Sequence, residues 1–144
     1  MIRNFKNEDL DEIMQIWLEE NIRAHNFISK SYWMDSFNLV KEMIPKAEIY
    51  VYEVDGEIIG FAGVEDNYLE GIFVKDGYKS QGIGRMLLRE IKDSRNTLAL
   101  KVYQKNIKAV RFYEREKFII LQESVDEDTY EREFIMAWKK EEDI

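Results

Sequence analysis

Helical spacing of apolar residues dominates the first third of the chain. Ile2–Lys6 reads as a short strand, and from Asn7 or Asp9 onward apolar residues recur every three or four positions. This spacing predicts an amphipathic helix, and Asp9 with Glu12 has the spacing of a capping box at its start. A second helix is predicted on the same grounds.

The second predicted helix has clear ends. It begins after Ser29 or Ser31 and stops near Pro45. Proline disfavours the helical conformation in the residue before it, so the pattern cannot continue past this point.

Alternation replaces helical spacing in the middle of the chain. Glu48–Val54 is rich in β-forming residues, and Asp55-Gly56 is a tight-turn signal before the return strand Glu57–Val64. A third strand, Tyr68–Val74, follows. Antiparallel hairpins are therefore expected here.

Both patterns occur in the remaining half. Helices are predicted from Gly82 to about Ser94 and from Asn106 onward, and the polar segment Gln122–Arg132 reads as a loop. The remaining apolar runs are predicted strands: Thr97–Tyr103, Phe118–Leu121 and Glu133–Trp138.

The resulting order is β-α-α-β-β-β-α-β-α-β-β. Hairpins come first, and a crossover through the helix at Gly82 follows. This order predicts an α+β fold with a mixed sheet flanked by helices, not a doubly wound one. At 144 residues the chain is expected to form a single domain, residues 1–144.

Composition narrows the function classes. The net charge of −8 argues against nucleic acid as a partner, because such proteins carry a basic excess. The chain has no cysteine, which excludes a thiol nucleophile and thiolate metal sites, and no metal site is predicted. No apolar run is long enough for a membrane span and no leader pattern precedes the first strand, so a cytoplasmic protein is expected.

A loop with two glycines joins the predicted strand Tyr68–Val74 to the predicted helix that begins at Gly82. Gly82 and Gly84 stand where the helix begins, and such a loop leaves backbone N–H groups free at the positive end of the helix dipole. An anion such as a pyrophosphate suits this arrangement. Leu87 stands where a dinucleotide fingerprint requires a third glycine, and the chain has no P-loop string. A simple tight turn is the alternative reading.

A second segment carries further chemistry. Asn106 is placed to cap the following helix, and the small Ala109 allows a close approach. Phe112 and Tyr113 are adjacent, so one can lie in the core while the other faces a cleft.

Together these segments resemble the GNAT superfamily of N-acetyltransferases. The loop Lys79–Gly84 is similar to its acetyl-CoA loop, with Lys79 where Arg or Gln is usual. The second segment matches at Asn106, Ala109, Phe112, Tyr113 and Phe118, with Lys117 in place of a usual glycine. The resemblance implies the GNAT fold, with a central splayed sheet.

Within the superfamily the chain is similar to bacterial acetyltransferases of the YiaC and YjaB type. The shared features include His25–Ile28, Val102–Asn106 and the closing Ile135–Trp138. This narrower likeness favours protein lysine as the acceptor.

The resemblance also implies site residues. Acetyl-CoA, as co-substrate, would be held by Ile72–Val74 of the predicted strand Tyr68–Val74, by the loop Lys79–Gly84 and by the segment that begins at Asn106. Tyr113 would be the general acid that protonates the departing CoA thiolate. The implied cofactor-binding residues are Ile72, Phe73, Val74, Lys79, Ser80, Gln81, Gly82, Ile83, Gly84, Arg85, Asn106 and Tyr113.

The general base is less defined. Tyr68 stands where some members carry a catalytic carboxylate, and Glu70, two residues on, is a candidate base that acts directly or through water, with an ordinary strand carboxylate as the alternative. His25, the only histidine, lines the acceptor site, acts as a base near neutral pH, or is structural. Phe27 and Trp33 are candidates for the acceptor pocket, with core packing as the alternative for Trp33.

The predicted function is acetyl transfer from acetyl-CoA to a primary amine by direct attack in a ternary complex. The alternatives are a small-molecule amine or a protein N-terminus as acceptor, or a CoA-binding GNAT module without turnover. A monomer or a homodimer is expected, with acetyl-CoA and an amine acceptor as partners and no nucleic acid or membrane.

Overall fold

The predicted order of helices and strands is confirmed in the computed structural model, which describes residues 1–141. The last three residues of the predicted domain lie outside the described part. Short 3-10 turns at Asn7–Asp9 and Ile44–Lys46 flank the first two helices. The main elements are β1 (Ile2–Asn4), α1 (Leu10–Ala24), α2 (Lys30–Met43), β2 (Glu48–Val54), β3 (Glu57–Glu65), β4 (Tyr68–Val74), α3 (Ile83–Asp93), β5 (Thr97–Tyr103), α4 (Ile107–Arg115), β6 (Ile119–Val125) and β7 (Arg132–Lys139).

Within residues 1–141 the seven strands form one mixed sheet in the order β1-β2-β3-β4-β5-β7-β6. Every neighbouring pair is antiparallel except β4 and β5, which are parallel and share a single pairing, Tyr68 with Ala99. Beyond that pairing the two strands separate. The predicted splayed sheet is therefore present, and the gap lies beside the carboxyl half of β4.

Helices cover both faces of the sheet. α1 and α2 pack on one face in a core that includes Met14, Trp17 and Phe61, while α3 and α4 pack on the other around Leu87 and Leu100. Each helix buries an apolar stripe and leaves its polar face in water, as the periodicity predicts.

Capping side chains fix the helix ends near the gap. The Ser29 hydroxyl accepts a hydrogen bond from the Ser31 N–H at 3.3 Å, and the Asn106 side chain accepts one from the Ala109 N–H at 3.3 Å. Lys117 has φ of +74°, the left-handed conformation that favours glycine after a helix. The backbone thus keeps the usual turn although the glycine is missing.

Two strand ends differ from the sequence prediction by two residues or more, and one predicted helix cap is absent. β1 ends at Asn4, two residues early. The Asp9 carboxylate does not cap α1, because it accepts hydrogen bonds from the Arg3 guanidinium and the Lys6 N–H instead. β6 continues to Val125, through residues predicted as loop. As an edge strand exposed along most of its length, it accommodates polar residues that patterning assigns to loops.

Among the helices of the described chain, none combines the length and the apolarity that spanning a bilayer requires.

Candidate active site

A cleft of about 1200 Å³ opens where β4 and β5 separate. The first turns of α3 and α4 form two of its walls, and the last turn of α1 closes a third side. Its lining includes Arg23, Ile72, Val74, Asp76, Tyr78, Lys79, Ser80, Gly82, Ile83, Gly84, Arg85, Lys105, Asn106, Lys108, Ala109, Phe112, Tyr113, Arg115 and Glu116.

The amino end of α3 is open towards the cleft. Gly82 caps this helix in the left-handed conformation, with φ of +81°, and among residues 1–141 no side chain caps its first turn. Gly84 lies in close packing, because a Cβ there would lie 3.6 Å from the Phe112 ring. Free N–H groups at a helix amino terminus attract anions, so this corner is a phosphate-type site.

The cleft is cationic on an acidic protein. Six basic side chains line it, against two carboxylates, Asp76 and Glu116, although the whole chain carries a net charge of −8. A basic concavity of this kind raises the local concentration of anions. The cleft therefore suits a ligand with several negative charges.

Ion pairs hold part of this basic lining. The Lys79 Nζ lies 2.5 Å from the Oε1 of the buried Glu20, and the Arg23 guanidinium lies 3.6 Å from Asp76. Lys108 and Arg115 form no ion pair within residues 1–141. Within the described residues, no paired carboxylate offsets the charge of these two cations.

His25 links the end of α1 to Asn106, the cleft-lining residue that caps α4. Its Nε2 lies 3.2 Å from the Asn106 Nδ2, and because the Asn106 oxygen accepts from Ala109, the amide nitrogen donates to the imidazole. Burial lowers the pKa of His25 to about 4, so the ring is neutral near pH 7. A neutral ring whose lone pair is occupied is a poor general base, which supports the structural role.

Tyr113 reaches the inner end of the cleft from α4. Its ring packs edge-on against Phe112 and Phe118, with centroids 5.3 and 5.5 Å away. Burial raises the pKa of the phenol well above its usual range, and no hydrogen bond contributes to that shift. The phenol stays protonated at neutral pH and is free to donate.

Glu70 lies on the other side of β4. In the antiparallel pairing of β3 with β4, Val64 pairs with Leu69 and the preceding residue, Gly63, pairs with Gly71. Glu70 has no partner on β3 and is therefore the extra residue of a β-bulge. It borders a second pocket, of about 310 Å³, between α2 and the sheet. Burial and the nearby Glu65 raise the pKa of Glu70, which moves the carboxylate towards the range of a useful base.

Most of the predicted cofactor residues line the cleft, and two do not. The Phe73 side chain borders the second pocket, because alternate residues of a strand point to opposite faces. Gln81 is exposed outside the cleft. Tyr68 lines neither cavity and lies at the single pairing between β4 and β5.

The predicted acceptor residues form an aromatic cluster. His25 stacks on Trp33 with ring centroids 5.2 Å apart, and Phe27 and Tyr103 pack edge-on around the imidazole. Trp33 is 7 % exposed and belongs to the core. None of the three predicted residues borders either cavity, so the cluster supports the loop between α1 and α2.

Sequence reasoning missed several lining residues, above all Lys108 and Arg115. They stand seven positions apart on a predicted helix, so both lie on one face. That spacing, next to a capping asparagine, was the available signal.

The comparisons with known proteins agree with this geometry. Residues 45–120 match the model described as "Acetyltransferase (GNAT) domain". Peptidyl-lysine N-acetyltransferase YiaC of Escherichia coli strain K12 is 34 % identical over 140 residues, which cover 96 % of both chains.

Two solved structures share the fold. The apo form of YjaB from Escherichia coli superimposes with a TM-score of 0.84 at 24 % identity over 95 % of each chain. YncA from Salmonella typhimurium, a putative acetyltransferase solved with its cofactor acetyl-CoA, gives a TM-score of 0.69 at 15 % identity and covers 100 % of this chain and 95 % of its own.

The chain belongs to the GNAT acetyltransferase family. It is an N-acetyltransferase, and enzymes of this family use acetyl-CoA as the acetyl donor. The predictions of family, fold, enzyme class and co-substrate are confirmed.

Proposed function

We propose that this protein acetylates the side-chain amine of lysine in protein acceptors, with acetyl-CoA bound in the cleft and the acetyl group passed directly between the two substrates. The likeness to YiaC, a peptidyl-lysine N-acetyltransferase, extends over 96 % of the chain and supports the lysine acceptor.

The observation that carries the proposal is the cationic cleft at two helix amino termini, with an unpaired phenol at its inner end. A CoA thioester has a polyanionic end and an uncharged arm. The basic lining suits the first, and the half-buried Ile72 and Val74, which line the cleft where β4 has no pairing with β5, suit the second. The residues present therefore fit this co-substrate.

The phosphates are assigned to the amino end of α3. Backbone N–H groups from Gly82 to Arg85 bind them, and Lys79, Lys108 and Arg115 add charge. The ion pair with Glu20 fixes the position of the Lys79 ammonium group. Because an ammonium group is a point charge, Lys79 cannot form the bidentate phosphate contact of an arginine.

Direct transfer needs three proton movements. A base removes one proton from the lysine ammonium, and the free amine then attacks the thioester carbonyl carbon, so that an N–C bond forms and the C–S bond breaks. Tyr113 donates its proton to the departing thiolate, and the second proton that leaves the nitrogen restores the phenol. The absence of cysteine agrees with a route that has no enzyme thioester.

Glu70 is assigned as that base, directly or through a water molecule. The β-bulge turns its carboxylate to the face of β4 opposite the cleft, and its raised pKa favours proton uptake. The acid and the base thus approach the acetyl group from opposite sides of one strand.

An acceptor panel tests the proposal. Purified protein is incubated with acetyl-CoA and either a peptide with an internal lysine and a blocked N-terminus, the same peptide with arginine for lysine and a free N-terminus, or spermidine. Mass spectrometry should find one added acetyl group on the lysine peptide. Acetylation of the free N-terminus or of spermidine alone would overturn the lysine assignment.

A further inference from the structure

We propose that Glu20 of α1 is a positioning residue for the acetyl donor: it holds Lys79 and the loop before α3 in place, so that a buried negative charge strengthens the binding of a polyanion. This inference rests on the proposed function and goes beyond it, because Glu20 does not line the cleft. It predicts a change in affinity whose sign is opposite to that of simple charge repulsion.

Glu20 is buried where the last turns of α1 meet the loop between β4 and α3. Only 6 % of the residue is exposed. Its Oε1 lies 2.5 Å from the Lys79 Nζ, and its Oε2 lies 3.5 Å from the Arg23 Nε. Both cations line the cleft. A carboxylate removed from water is strongly destabilising without a counter-charge, so its burial ties Glu20 to these two cations.

The ion pair leaves Lys79 able to bind a ligand. Its side chain is 44 % exposed, whereas that of Glu20 is 7 % exposed. Within residues 1–141 no hydrogen bond reaches the Glu20 Oε1, so charge alone holds the ammonium group and its N–H donors are not committed to the carboxylate. A phosphate at the amino end of α3 can therefore accept a hydrogen bond from an ammonium group that is already in place.

The loop between β4 and α3 needs such an anchor. Three of its residues adopt the left-handed conformation, with φ from +64° to +91°: Gly77, Ser80 and Gly82. This conformation is unfavourable for a serine and persists where surrounding contacts fix it. Among the described residues, two ion pairs connect the loop to α1, Asp76 with Arg23 and Lys79 with Glu20. Glu20 forms one of them and contacts the arginine of the other.

The Glu20 charge has two opposite effects on a bound polyanion. It repels the phosphates, so its removal would tighten binding if repulsion dominated. It also confines Lys79, and without it the long side chain must lose rotamer freedom when the ligand binds. Because Lys79 and Arg23 lie against the carboxylate, they offset most of its repulsion. The loss of position is therefore the larger effect.

The first test neutralises Glu20 without changing its shape. In Glu20→Gln we expect the acetyl-CoA Kd and KM to rise about tenfold, the usual effect of losing one contact to a charged group, while kcat stays within about twofold. Glu19→Gln removes the same charge from the exposed neighbour on α1 and should change none of these constants. Calorimetry and steady-state kinetics measure them.

The second test asks whether Glu20 acts through Lys79. Lys79→Gln should weaken acetyl-CoA binding and lower the thermal midpoint, because it leaves the buried Glu20 without its nearest counter-charge. The double variant Glu20→Gln/Lys79→Gln should regain part of that midpoint and bind no more weakly than Lys79→Gln. It contains no unpaired buried charge at this site, so it keeps the test valid if Glu20→Gln alone folds poorly.

The outcomes separate the inference from the proposed function. An acetyl-CoA Kd in Glu20→Gln that is equal to or lower than that of wild type would overturn the positioning role alone. Losses of affinity that add up in the double variant would do the same. Wild type that binds acetyl-CoA and modifies no lysine would instead overturn the proposed function.

Discussion

At the scale of single residues, Tyr113 is the group on which the chemistry depends. It is 8 % exposed, it lines the cleft, and two aromatic neighbours fix its ring. Because burial raises its pKa, the phenol keeps its proton at neutral pH, which is the state a general acid needs.

Tyr113→Phe removes only the hydroxyl. We expect kcat to fall by about 100-fold, the usual effect of losing a general acid, while the acetyl-CoA Kd changes less than about twofold. Steady-state kinetics and calorimetry measure the two constants. Tyr130→Phe, at a tyrosine that is 83 % exposed, is the matched control and should keep full activity. Unchanged kcat in Tyr113→Phe would remove Tyr113 from the mechanism.

Glu70 predicts the pH dependence of the reaction. A base acts only when it is ionised, and the pKa of Glu70 lies above its usual value. The rate of lysine acetylation should therefore fall as the pH drops through that raised pKa, and should recover above it. In Glu70→Gln this acidic limb should disappear along with most of the activity. A limb of the same midpoint in the variant would assign the titration to another group.

At the scale of elements, the junction between β4 and α3 depends on one glycine conformation. Gly82 has φ of +81°, and a Cβ there would meet no atom within 4 Å. The conformation, and not space, therefore requires glycine.

Gly82→Ala should cost about 1 kcal/mol of stability and should also weaken acetyl-CoA binding, because the strained loop moves its N–H groups. Gly56→Ala is the matched control, since Gly56 has the same φ of +81° and no atom within 4 Å, in the turn between β2 and β3, and does not line the cleft. Thermal unfolding should show similar losses for both, whereas calorimetry should show weaker binding for Gly82→Ala only. Equal acetyl-CoA affinity in the two variants would contradict the role of this loop.

Local patterns predict most elements, and the exceptions share a cause. The hairpin at Asp55-Gly56, the cap at Asn106 and the helix after Gly82 depend on neighbours in sequence, so they are readable. Asp9 accepts hydrogen bonds from Arg3 of β1 instead of capping α1. β6 extends through polar residues because it is an exposed edge strand of the sheet. The β-bulge at Glu70 is likewise set by pairing with β3.

At the scale of the whole molecule, the cleft has an excess of positive charge although the chain as a whole is acidic. The chain carries a net −8, yet the cleft gathers six basic side chains from α1, α3, α4 and the adjoining loops. The glycine loop and Tyr113 could be predicted because they form local motifs. The contribution of Arg23 depends on where the end of α1 lies relative to the cleft, which the sequence order does not reveal.

The most direct test of the account is a calorimetric titration of the protein with acetyl-CoA, ATP and NAD. We expect micromolar binding of acetyl-CoA that weakens steeply as salt is raised, since the Debye length falls from about 10 Å at 0.1 M to about 3 Å at 1 M. Preferential binding of ATP or NAD, or no binding of acetyl-CoA at low salt, would contradict the assignment of the cleft as the acetyl-donor site.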